Sequence, residues 1–308
     1  MILVRSFAVG RARAPGKIVL SGAYSVLEGA PAIVAAVDRY ATADAAAEAT
    51  FVTEEVRAAV TSGVIPRACA FDASALRSAD GSRKLGLGSS SAILVATMAA
   101  FKGPPPDAAA RTWFFEAALA AHRTAQQGGS GVDVAASVNG GILVCELAKG
   151  RLVTRPHALP RDAHVTILAS RVAASTAELR GRVRAFRDSD PSRYRSLLAR
   201  ASSGARDAVA ASTVDALIAA LTAQRDALGE LGQRCGAPIL TADVAQLAQR
   251  ASVAGFFVGP AGAGGGDVAI AVGTAPLPAD LVAAARAVGL DVVDAHLGAS
   301  GVEPIEIS

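Results

Sequence analysis

Lysine, glycine and serine fall together in Lys84-Leu-Gly-Leu-Gly-Ser-Ser-Ser-Ala92. Gly86 and Gly88 admit turns and a close backbone approach that a side chain forbids. Ser89, Ser90 and Ser91 offer hydroxyls and suit the cap of a helix. The apolar run after them, residues 92–101, reads as that helix, buried all round. Free N–H groups at its start, together with its dipole, favour an anion, and Lys84 adds positive charge just ahead. A phosphate fits this construction. A capped helix after a tight turn explains the same residues without a ligand. The spacing departs from the Gly-Lys-Ser/Thr nucleotide loop. It also departs from the dinucleotide fingerprint, because Ser91 stands in place of a third glycine.

Two further glycine turns lie far away in sequence: Gln127-Gly-Gly-Ser-Gly-Val-Asp133, and Gly259-Pro-Ala-Gly-Ala-Gly-Gly-Gly-Asp267. The first presents one carboxylate after pliable backbone. Asp133 reads as a general base that takes a proton from a substrate hydroxyl, or as the N-cap of a helix starting at Val134. The second turn lets a ligand approach closely. Lys17 follows Pro15-Gly16, read as a turn that delivers it onto a strand. It is one of few lysines in an arginine-dominated chain, which suits a compact point charge beside Asp133. His122 and Arg123 close a helix ahead of the Asp133 turn. No zinc spacing and no Ser/His/Asp order stands out.

These groups need elements to position them. Strands are expected at residues 2–9, 17–20 and 32–37, with weaker strand signals at 42–49 and 51–60. Residues 69–81 read as irregular. Helices are expected at 107–126, with Trp113, Phe114, Ala117 and Ala121 on its apolar face, and from 134. Residues 142–147 read as a strand closed by a hairpin turn at Lys149-Gly150. The second half reads as strand 164–170, helices 174–188, 191–211, 214–235 and 241–254, strands 255–258 and 268–272, helix 278–288 and a final strand at 290–294. A strand-rich half and a helix-rich half argue for an α+β protein of two lobes, 1–160 and 161–308, with the three glycine turns meeting between them.

The 308 residues are 52% hydrophobic and 19% charged, with a net charge of +3. That charge is too small to argue for nucleic acid and is compatible with an anionic small molecule. Cys69, Cys145 and Cys235 are unclustered, as expected of reduced thiols in a cytoplasm. The apolar runs are too short or too interrupted to predict a membrane span.

Ala14-Pro-Gly-Lys-Ile-Val-Leu-Ser-Gly22, Gly86-Leu-Gly-Ser-Ser-Ser-Ala92 and Gly262-Ala-Gly-Gly-Gly-Asp267 resemble, in order, the three motifs of the GHMP small-molecule kinases. Within that superfamily the chain is most similar to phosphomevalonate kinases. That similarity rests on Lys84, on His122-Arg-Thr-Ala-Gln126 leading into Gly129-Ser-Gly-Val-Asp-Val-Ala135, on Ala174-Ser-Thr176, and on the extended third motif. Mevalonate kinases usually carry a metal-binding glutamate about where His122 stands.

The resemblance implies an S5-like N-terminal lobe that binds ATP and a ferredoxin-like C-terminal lobe. It implies Asp133 and Lys17 as catalytic residues, and ATP phosphates on Lys84, Gly86, Leu87, Gly88, Ser89, Ser90 and Ser91. It implies Mg²⁺ held with the help of Ser90. It also implies a phosphorylated acceptor among Lys17, Lys84, His122, Arg123, Ser130, Gly131, Ser175, Thr176, Gly262, Ala263 and Gly264. The implied reaction is ATP-dependent conversion of mevalonate 5-phosphate to the 5-diphosphate, in isoprenoid precursor synthesis, by a cytoplasmic monomer or homodimer. Phosphorylation of mevalonate or of another small alcohol is the alternative. Ala23 replaces a common glutamate, and Gly259 and Ala261 replace a common Lys and Ser, which motivates a third reading as a ligand-binding homologue without turnover.

Overall fold

The computed structural model describes residues 10–171 and 176–306, the side chain of Thr176 excepted. The strand expected at residues 2–9 and the position of Ser175 lie outside the described residues. The first lobe is built on β1 (Arg11–Ser21) and β2 (Ala32–Asp44). They pair antiparallel along most of their length. Pro15 and Gly16 do not make a turn. They sit inside β1, where the register with β2 shifts between them. A bulge is one of the few places where a strand tolerates proline, which has no N–H to give to the ladder. Residues 32–37 of β2 are fully buried, as a strand covered on both faces must be.

Residues 51–60 are not a strand. They hold the helix α1 (Glu54–Thr61), whose first turn is acidic and whose cap is Thr53, accepting from the Val56 N–H at 3.3 Å. A short β3 (Ala70–Asp72) and a 3-10 turn at Ser74–Leu76 occupy the stretch expected to be irregular. Then come the helices α2 (Ser89–Lys102), α3 (Ala108–Ala125) and α4 (Val132–Asn139). Asp107 caps α3, taking the Ala110 N–H at 2.8 Å. Trp113 is not on its buried face: it is 52% exposed, while Phe114, Ala118, Leu119, Ala121 and His122 face inward. The hairpin β4 (Ile142–Ala148) and β5 (Arg151–Pro156) turns at Lys149 and Gly150, both with positive φ.

The second lobe opens with β6 (His164–Ser170), followed by α5 (Thr176–Ser189), α6 (Pro191–Ala210), α7 (Val214–Cys235) and α8 (Ala242–Val253). Next are β7 (Phe257–Pro260), β8 (Val268–Gly273), α9 (Ala279–Ala287) and β9 (Leu290–Val293). The sheet order β7-β8-β6-β9, all antiparallel, is that of a ferredoxin-like sheet. β9 is not the last strand. The chain returns to the first lobe, where β10 (Glu303–Pro304) pairs with β1 to complete a sheet ordered β10-β1-β2-β4-β5 with β3 beside β2.

Two polar links fix the lobes against each other. The buried Gln224 of α7 accepts from Ser21 Oγ at 3.0 Å and from the Gly22 N–H at 2.8 Å. Tyr24, packed in one apolar cluster with Leu179, Val183 and Leu197, donates its hydroxyl to the Ala263 carbonyl at 2.7 Å. No helix among the described residues is long and apolar enough to cross a membrane.

Candidate active site between the lobes

The loop ahead of α2 makes the centre of the site. Gly88 is the residue before the helix, with a left-handed φ of 73°, and no side chain caps the helix start. The serines do not cap, contrary to the sequence expectation, because the glycine already occupies the cap position. The first-turn N–H groups therefore remain without a side-chain acceptor. Ser89 and Ser90 open onto a cleft of about 730 Å³ that runs between the lobes. Leu87 points the other way and is 1% exposed. Its carbonyl takes the Lys17 N–H at 2.8 Å, which ties β1 to the loop. Ser91 is fully buried in the helix packing.

Both glycines of the loop are needed for close contacts. A Cβ on Gly88 would stand 2.8 Å from Lys17 Cγ and 2.9 Å from Lys17 Cε. A Cβ on Gly86 would meet Val268 and would stand 2.7 Å from Asp267 Oδ2. The loop thus touches the lysine of the first motif on one side and the carboxylate of the third on the other. Arg83, one residue before Lys84, donates to the Ser170 carbonyl at the end of β6, so the loop is also moored to the second lobe.

Asp133 is not a cap. Gly131 holds the cap position of α4 with φ 82°, and Asp133 lies in the first helical turn. It lines the cleft. Burial is the largest influence on it and favours the neutral acid. The nearby charges of Lys17, His122 and Arg180 outweigh burial and hold the carboxyl below its ordinary range. Asp267 has the opposite balance: burial lifts it above the ordinary range, against the pull of Lys17 and Arg83. Lys17 therefore faces two carboxylates whose proton affinities are driven apart, a pattern typical of acid–base sites.

The cleft gathers most of the residues expected from the sequence. Lys17, Lys84, Gly86, Gly88, Ser89 and Ser90 line it, as do His122, Ser130, Gly131, Asp133, Gly262, Ala263 and Gly264. Leu87, Ser91 and Arg123 do not line it. The sequence analysis missed Arg180 of α5, Tyr24, and Phe51 with Glu55 at the α1 side. Glu55 is 3% exposed and accepts from Gln126 Nε2 at 2.6 Å. Thr53 and the acidic first turn of α1 were a legible helix start. Nothing in the local sequence separates Arg180 from the other arginines of its helix. Among the described residues no three His, Cys, Asp or Glu side chains cluster as a metal site.

No protein-family model and no curated protein matches the chain. Solved structures do. The Lin0012 protein from Listeria innocua superposes with a TM-score of 0.79 at 24% identity, covering 96% of this chain and 99% of that one. Streptococcus pneumoniae phosphomevalonate kinase, in complex with phosphomevalonate and AMPPNP, gives 0.72 at 16% identity, covering 93% and 99%. L. major mevalonate kinase, in complex with R-mevalonate, gives 0.64 at 17% identity, covering 92% of each chain. The chain has the two-lobed α+β fold of the GHMP kinases.

Proposed function

We propose that the protein is an ATP-dependent small-molecule kinase and that its acceptor is mevalonate 5-phosphate. The observation that carries the reading is the meeting of Lys17, Gly88 and Asp133: a cation and a carboxylate held against an uncapped helix start in one cleft. Phosphoryl transfer asks the protein mainly for position and charge neutralisation, which this set supplies. The first-turn N–H groups of α2, with the Ser89 and Ser90 hydroxyls and Lys84, suit the phosphates of ATP. The 66% exposed ring of Phe51 at the cleft wall, edge-on to Phe71, suits the nucleobase. A Mg²⁺ ion would rest largely on phosphate oxygens, with the Ser90 hydroxyl as the protein's own donor, as is usual for that ion. It would neutralise charge on the transferring group.

The two mevalonate acceptors make different demands on Asp133. A hydroxyl must lose its proton as the new O–P bond forms and the bond to ADP breaks, and Asp133 is placed to receive it. A phosphate acceptor has a second pKa of about 6 and offers an oxygen that is already ionised near neutrality. In that reaction Asp133 holds Lys17 beside the accepting oxygen, and no proton has to be removed. This refines the general-base role expected from the sequence. The resemblance of Lys84 and of His122-Arg-Thr-Ala-Gln126 to the phosphomevalonate kinase pattern supports the phosphorylated acceptor.

The test is ATP consumption with mevalonate, mevalonate 5-phosphate and mevalonate 5-diphosphate in parallel. The reading expects turnover with the monophosphate. Turnover with mevalonate alone would reassign the acceptor. ATP binding without turnover on any of the three would leave a binding protein, the reading that Ala23 on the cleft wall favours.

A further inference from the structure

The wall of the cleft contributed by α5 carries a cation, Arg180, whose charge reaches Asp133 but to which the kinase reading gives no binding task. Leu179 and Val183, one turn apart and each 5% exposed, anchor α5 against α6 and α7. Arg180, next to Leu179, is thereby directed to the cleft and half-buried there. Of the other arginines on the helix, Arg182 binds Glu178 at 2.7 Å and the Gly236 carbonyl at 2.5 Å, Arg187 binds Asp188 at 3.1 Å, and Arg184 is exposed away from the cleft. Arg180 has neither an ion pair nor a hydrogen bond among the described residues. Facing it is bare backbone. Cβ atoms on Gly128 and Gly129 would each stand 3.7 Å from its Nη atoms, so the glycine turn lies directly against the fork without a side chain to pair it. On the same cleft His122 is 6% exposed, and its Nδ1 is buried without a partner. A buried polar atom without a partner is costly unless a ligand or water supplies one, and an unpaired guanidinium on a cleft wall is free to bind an anion.

We infer that Arg180 is a specificity-determining residue for the acceptor: its guanidinium holds an oxyanion group of the acceptor and so sets the accepting oxygen at Lys17 and Asp133. The inference rests on the kinase reading and names the residue that would hold the acceptor's phosphate or carboxylate. A planar guanidinium takes such a group in two parallel hydrogen bonds, which a neutral polyol cannot match. Galactose is expected to be a poor acceptor.

The experiment compares wild type with Arg180→Gln and Arg180→Lys, using mevalonate and mevalonate 5-phosphate, with KM for acceptor and for ATP measured separately. Arg180→Gln is expected to raise the acceptor KM about 10–100-fold and leave the ATP KM within about twofold, with partial recovery in Arg180→Lys. A rise for both acceptors assigns the carboxylate, and a rise for the phosphorylated one alone assigns the phosphate. An unchanged acceptor KM, or a rise confined to ATP, overturns the inference. If wild type transfers nothing to either acceptor, the kinase reading fails, and calorimetric titration with mevalonate 5-phosphate decides on Arg180. Affinity lost about 10–100-fold in Arg180→Gln upholds its role. No binding to wild type, or equal affinity in both proteins, rejects it.

Discussion

The stem of Lys17 lies across the face of Gly88, so close that a Cβ at position 88 would stand 2.8 Å from Lys17 Cγ. The glycine that opens the helix start also fixes where the lysine of another motif can lie. Gly88 has φ 73°, a conformation that costs a side-chain-bearing residue roughly 1–2 kcal/mol. Gly88→Ala is therefore expected to lower stability by about that amount and to displace Lys17. Thermal unfolding should show the first effect and kcat the second. A folded Gly88→Ala protein with normal kcat would show that the contact does not set the lysine.

Asp267 supplies a prediction with a defined sign. Burial raises its carboxyl above the ordinary range. A group whose folded pKa is raised contributes stability that is full below the unfolded pKa and is lost as pH rises through the folded one. At pH 7 its ionised form is therefore a strain on the fold, partly relieved by Lys17 and Arg83. Asp267→Asn is expected to be as stable as wild type or more stable at pH 7, with the difference shrinking toward about pH 4. Melting curves across that range check it. A mutant less stable at pH 7 than at pH 4, relative to wild type, would mean that Lys17 needs the ionised carboxylate.

Much of the site was legible in the sequence, because glycine, serine and lysine in short runs report on local backbone and charge. The three motifs do meet in one cleft around Lys17, Gly88 and Gly264. What failed depended on neighbours far along the chain. Pro15-Gly16 reads as a turn until β2 is seen beside it with a shifted register. Asp133 reads as a cap until Gly131 is seen to hold that position. Arg180 sits among Arg182, Arg184 and Arg187, and only the packing of Leu179 and Val183 singles it out. Residues 51–60 do carry a local helix signal that outweighs their strand propensity, since Thr53 ahead of Glu54 and Glu55 is a helix start.

Lys84 separates the two anions that the cleft is proposed to hold. It follows Arg83, which is moored to β6, and lines the cleft beside the α2 helix start. If it serves the nucleotide, Lys84→Ala raises the ATP KM by roughly 10-fold or more and leaves the acceptor KM alone. If it serves the acceptor, the split reverses. Ser90→Ala provides the reference for a nucleotide-side loss, and a Lys84→Ala profile unlike it would move Lys84 to the acceptor side.

Asp133 gives the sharpest division between acceptors. Its carboxyl is held below the ordinary range despite burial, because Lys17 leads the charges that stabilise the anion. Its contribution to stability is thus complete above the ordinary value of 3.8 and is lost as pH falls through the lower folded value. Asp133→Asn keeps the shape, removes the base and leaves Lys17 with Asp267 as its remaining carboxylate. With a hydroxyl acceptor the loss of the base is expected to lower kcat by roughly 10²–10⁴-fold. With mevalonate 5-phosphate the accepting oxygen needs no base, and the fall should be smaller and should reflect the displaced Lys17. Lys17→Met should then cost more than Asp133→Asn, since it removes the cation that meets the developing charge. Measuring kcat for both variants with mevalonate 5-phosphate decides the matter. A fall in Asp133→Asn that matches or exceeds that of Lys17→Met would return Asp133 to the role of proton acceptor and point to a hydroxyl as the group phosphorylated.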